Sequence, residues 1–121
     1  MQNFRNLQVW RLAHAFVLSA YGATSEFPRD EQFGLTSQIG RAAVSIAANI
    51  AEGCGRGSDG DFARRLQIAI GSADELEYHL LLAADLRFIS TADGQSLSSQ
   101  LMEVRRMLIR LTQKLRSARN S

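Results

Sequence analysis

The sequence predicts an all-α protein, an up-down-up-down antiparallel four-helix bundle. Two observations carry that expectation. Apolar residues recur at spacings of three and four through four segments, about 6–25, 34–53, 59–88 and 91–117. The breaks between segments are short and hold residues that stop or start helices, so consecutive helices must fold back on one another. One hundred and twenty-one residues make a single domain, 1–121.

In the first segment Leu7, Trp10, His14, Val17 and Tyr21 make one apolar line. Val9, Ala13, Phe16, Ala20 and Ala23 make a second beside it, which predicts a helix with a broad buried face. His14 reads as a hydrogen-bonded core or interface residue, since no catalytic partner accompanies it. Phe27-Pro28 closes the segment, because proline drives its predecessor out of helical geometry. Arg29 to Gly34 is a short connection carrying Asp30 and Glu31.

The second segment is the one the others are organised around. On a helix Gln38, Arg41, Ser45, Asn49 and Glu52 fall within about 80° of one another. Every other position between Gln38 and Glu52 is Ala, Gly, Ile or Val, an arc of roughly 280° where an ordinary surface helix has little more than about 100°. So wide an apolar arc asks for more neighbours than one small bundle supplies, and predicts an oligomer. Two readings of the polar stripe stay open: a solvent face, or a hydrogen-bonded network of Asn49, Glu52 and Arg41 in a contact between chains.

Gly53-Cys54-Gly55-Arg56-Gly57 ends this helix, with glycine expected to supply a left-handed C-cap. A phosphate loop is excluded there: no strand pattern precedes it and no Lys-Ser/Thr pair follows. Ser58 and Asp61 then form an S-x-x-D start. Phe62, Leu66, Ala69, Ala73, Leu76, Leu80 and Ala83 form the core line of the third helix. Gly71 lies in its middle at a cost of about 1 kcal/mol relative to alanine. The expectation is that it allows close approach to the Ala-rich second helix.

Ser90 and Asp93 repeat the start signal for the fourth helix. Leu97, Leu101, Val104, Leu108, Leu111 and Leu115 follow as a heptad seam. Arg106, Arg110 and Lys114 lie on the opposite side at intervals of four. They are candidates for nucleic-acid contact, or cations that pair with Asp74, Glu75 or Glu77 of helix three, or a solvated flank.

Thirteen Arg and one Lys against twelve acids leave a net charge of +2, well short of a polycationic nucleic-acid binder. A single cysteine, Cys54, excludes an intrachain disulfide and a cysteine-based zinc cluster, and points to a reducing cytoplasm. The longest run without Asp, Glu, Lys or Arg, Leu12 to Ser25, is shorter than the ~20 residues of a membrane helix. His14 within it, and the periodicity around Trp10, argue against a signal peptide. With two histidines and no Glu-x-x-His, neither a di-iron bundle nor a histidine-rich metal site is expected. Cys54, between glycines, lacks a neighbouring base, and Glu52 and Glu75 show no sign of sharing a cleft. No catalytic residue, cofactor or metal is expected.

Ser-Ile-Ala-Ala-Asn-Ile-Ala-Glu-Gly-Cys-Gly-Arg at 45–56, with 27–42 upstream and 68–77 downstream, resembles a bacterial four-helix-bundle family. That family includes the intervening-sequence proteins encoded within large-subunit ribosomal RNA genes and the accessory proteins of diversity-generating retroelements. The resemblance runs from about Leu7 to Ile89. It implies a ring-like homopentamer without known catalytic activity, some of whose relatives bind nucleic acid or a reverse transcriptase. The near-neutral charge here departs from the strongly basic retroelement members. The sequence therefore supports a non-enzymatic oligomeric scaffold associated with RNA, DNA or a nucleic-acid enzyme. The alternative is a purely structural homo-oligomer binding a protein partner. Neither membrane nor small-molecule substrate is expected.

Overall fold

A computed structural model of the chain describes residues 3–55 and 57–120. Among them it forms four α-helices and no strand: α1 (Gln8–Thr24), α2 (Leu35–Cys54), α3 (Asp59–Asp85) and α4 (Thr91–Asn120). Single 3₁₀ turns at Phe4–Asn6 and Arg29–Glu31 precede α1 and α2. Each helix packs on two others, α1 on α2 and α4, α3 on α2 and α4, with the diagonal pairs apart. Cross-helix pairs fix the directions. Tyr21 lies against Gly40 while Trp10 shares a groove with Ala51, so α1 and α2 are antiparallel. Ser45 meets Ser72 and Glu52 meets Arg65, so α2 and α3 are too. Leu7 to Val9 lie beside Met107 to Lys114, which sets α1 against α4.

The starts and stops follow local chemistry. The Ser58 hydroxyl accepts the Asp61 N–H, and that of Ser90 accepts the Asp93 N–H, each at 3.1 Å. Both S-x-x-D signals therefore act as read from the sequence. The Glu31 carboxylate accepts the Leu35 N–H at 3.1 Å, so the connecting turn caps α2 with its own side chain. At the other end of α2 the expectation needs correcting. Gly55, at φ −85°, is right-handed, and the left-handed residue is Gly57, at φ +87°. Arg56, between them, lies outside the described residues. Among the described residues Arg87, at φ 63°, is left-handed as well. It follows α3, where Phe88 N–H bonds the Ala83 carbonyl and Arg87 N–H that of Ala84, a Schellman closure.

The core is what periodicity foretold for α3 and α4. All seven residues of the α3 line are buried, as are Leu97, Leu101, Val104 and Leu108, while Leu111 and Leu115 are half-buried near the end. Thr112 is also buried, its hydroxyl donating to the Leu108 carbonyl at 2.8 Å, so the polar group costs little. On α1 only one of the two apolar lines is core: Val9, Ala13, Phe16 and Ala20 are buried, whereas Tyr21 and His14 are exposed.

Close approach of α2 and α3 is made at a different glycine from the one expected. Gly71 is exposed, with nothing within 4 Å of the place a Cβ would occupy. Gly53 is buried, and a Cβ there would stand 2.8 Å from Phe62 Cδ1 and 3.0 Å from Arg65 Cβ. The reason is distance from the turn. Gly53 sits where the two helices converge on their connection, whereas Gly71 points away from the seam.

Candidate functional site

Three surfaces of the bundle carry chemistry, and the polar stripe of α2 builds the first. It lies along the seam with α3, and the structure joins its residues within one chain. Ser45 and Ser72 hydroxyls are 2.9 Å apart. The Asn49 amide donates to the Ser45 carbonyl at 2.8 Å and to its hydroxyl at 3.2 Å, and its oxygen accepts from Arg65 at 3.4 Å. Arg65 in turn pairs with Glu52 at 3.0 Å. Within the chain, then, the cation that meets Asn49 is Arg65. Gln38 and Arg41, both exposed, border a cleft of about 460 Å³ with Ser45, Ser72, Glu75 and His79. Arg65 and Ser72 escaped the sequence reading. Yet the positions pair by reflection about the turn near residue 58, so once that turn is located the register of the hairpin names both.

His79 is buried on the same side of α3 and shares a 3.2 Å hydrogen bond with Glu75 through Nε2. Its Nδ1 is buried without a partner. Nε2 thus faces the carboxylate and Nδ1 faces inward. Cys54 is buried at the end of α2, and burial pushes its thiol pKa up, which keeps it in the unreactive protonated form. No group of three or more metal-binding side chains occurs among the described residues.

The second surface is apolar. The buried side of α2 spans Ile39, Ala43, Ile46, Ala47 and Ile50. Val44 and Ala48, on its outward side, stay exposed, and Ala51 is half-buried beside them. They form a shallow groove of about 350 Å³ whose other wall is Phe4, Trp10, His14 and Val17. Trp10 stacks on His14 with ring centroids 4.9 Å apart, and Phe4 meets Trp10 edge-on at the same distance. Tyr21 and Phe33, which line a neighbouring hollow with Val44, extend this open side, Phe33 with 91% of its surface in solvent. The first apolar line of α1, through Trp10, His14 and Val17, is thus the wall of an open face.

The third surface is the outward side of α4. Arg106, Arg110 and Lys114 are exposed and take no ion pair among the described residues. Of the three α3 carboxylates expected as their partners, Asp74 and Glu75 are engaged elsewhere, and Glu77 takes no ion pair among the described residues. Asp74 binds Arg105 at 2.7 Å, which raises the Arg105 pKa further and holds its charge, and Glu75 binds His79. Arg105 went unremarked in the sequence because it belongs to neither the seam nor the four-residue row.

A family model described as 23S rRNA-intervening sequence protein matches residues 5–110. The chain belongs to that family. Among solved structures it is similar to a protein of unknown function from the S23 ribosomal protein family of Bacteroides thetaiotaomicron. The two share 27% identity, with a TM-score of 0.80, over 87% of this chain and 95% of that one. No protein of curated function matches the sequence. The resemblance seen in the sequence is therefore correct at the level of family and fold. In this member of the intervening-sequence family, no helix among the described residues is long and apolar enough to cross a membrane.

Proposed function

We propose that this intervening-sequence family member is a non-enzymatic scaffold that works as a homo-oligomer and presents a cationic surface to nucleic acid or to an enzyme acting on it. The observation that carries the reading is the pairing pattern between α3 and α4. Asp74 and Glu75 are occupied by Arg105 and His79, and Arg106, Arg110 and Lys114 stand exposed without an ion pair among the described residues. They rise about 6 Å per step along the helix, close to the separation of phosphates in an extended strand. One such row on a chain of net charge +2 binds weakly. Repetition around an assembly turns it into a belt.

The open α1/α2 face supports the oligomer. The apolar arc of α2 exceeds what α1 and α3 cover, and Val44, Ala48 and the Trp10 wall are left to a neighbouring chain. Five copies is the count implied by the family resemblance. The buried, protonated Cys54 supports the reading without catalysis.

Fluorescence anisotropy with labelled single-stranded and hairpin RNA tests the nucleic-acid part. Binding should tolerate sequence and fall steeply between ~50 and ~200 mM salt, because phosphate contacts release counterions. No binding at the lower salt removes nucleic acid and leaves a scaffold for protein alone.

A further inference from the structure

Between α3 and the first half of α4 runs a groove of about 650 Å³, away from all three surfaces described above. Its α4 side is uncharged, with the small residues Thr91, Gly94 and Ser98 beside Gln95. Its α3 side raises two large apolar side chains, Tyr78 with 60% and Leu81 with 57% of their surfaces in solvent. Carboxylates alternate with them on the same stripe. Glu77 lines the groove, Asp85 follows one turn beyond Leu81, and neither takes an ion pair among the described residues. Only at Asp74 is the row answered, by Arg105, which closes that end.

We propose that this groove is a docking site for a basic amphipathic helix of a partner protein. From Asp74 to Ala84 the groove runs about 15 Å, close to three helical turns at ~1.5 Å per residue, with Asp85 just beyond its end. The small residues of α4 let a helix backbone settle close, as they do wherever helices pack tightly. Tyr78 and Leu81 meet the apolar stripe of the incoming helix at i, i+3 and i+4 positions. Lys or Arg on its flank meets Glu77 and Asp85, so the charge of the groove selects the sign of the ligand. Nucleic acid is repelled by the same carboxylates, which separates this surface from the cationic row of α4. The inference stands whether or not that row binds RNA.

The test uses the full chain and a labelled helical peptide of leucine and lysine in amphipathic order, beside its leucine–glutamate counterpart. Anisotropy should show saturable binding of the basic peptide and none of the acidic one. Leu81→Asp should weaken it by about tenfold or more, as loss of an apolar anchor does. Glu77→Lys should weaken it too, with circular dichroism confirming that both exposed-site variants stay folded. Three results overturn the proposal: no saturable binding of the basic peptide, equal binding of both peptides, or affinity unchanged in both variants. A fourth does so as well: if Leu81→Asp lowers the mass of the assembly in native mass spectrometry, the occupant is a second copy of this chain.

Discussion

At Gly53 the absence of a single carbon decides how closely two helices meet. Gly53→Ala places a methyl 2.8 Å from the buried Phe62 ring and 3.0 Å from Arg65 Cβ, neither of which is the free end of a flexible chain. It should cost about 1–3 kcal/mol, the scale of overpacking a filled core. Gly71→Ala meets nothing within 4 Å and should stabilise α3 by roughly 0.5–1 kcal/mol through helix propensity. Chemical denaturation of the two variants side by side checks both signs. Opposite signs at two glycines of one hairpin could not be assigned from composition, because each glycine looks alike until its neighbour is placed. Asn49 makes a further case. Its amide donates to Ser45 and its oxygen accepts from Arg65, so Asn49→Leu should lose more than ~1 kcal/mol in the same assay by removing the acceptor of Arg65 Nη1 and putting an apolar side chain in a polar seam. No loss would make the seam a solvated surface.

Helices end where backbone groups find other partners, and the two ends beyond α2 and α3 do so differently. The glycine-rich stop after α2 places its left-handed residue at Gly57, three residues past the helix. The stop after α3 places an arginine in that conformation and offsets the strain with two backbone hydrogen bonds and the packing of Phe88 on Phe27, ring centroids 5.7 Å apart. Arg87→Gly should therefore raise stability by about 0.5–1 kcal/mol, since glycine adopts positive φ without a Cβ clash. An unchanged denaturation midpoint would show that side-chain contacts of Arg87 repay its strain. On α4 the outward row gives an electrostatic prediction. Arg110→Glu should reduce the salt slope of RNA binding and leave the melting temperature nearly unchanged, because Arg110 is exposed and holds no ion pair among the described residues.

For the molecule as a whole, the question is what covers the apolar side of α2. A chain of this size leaves Val44 of α2 at 42% exposure because two helices cannot surround a third, and Phe33, in the connection before α2, stands at 91%. If a neighbouring copy covers that side, native mass spectrometry should show a closed species of several chains, with five favoured. Val44→Asp should dissociate it while circular dichroism still reports a helical monomer. A stable monomer of the unaltered chain at micromolar concentration would remove the assembly and the belt of cations with it.

Periodicity and punctuation suffice for the four helices, their antiparallel order and the core lines of α3 and α4, because each depends on residues within a turn or two of one another. The family is equally readable, since its motifs are local and ordered. Partnership is not. Which of two apolar lines on α1 is core depends on where α2 and α4 lie. That the stripe of α2 is answered by Arg65 and Ser72, and that Asp74 and Glu75 are taken by Arg105 and His79, depends on the register of each hairpin. A contact between residues tens of positions apart is set by the rotation and translation of whole helices, and those settle only when the entire core packs.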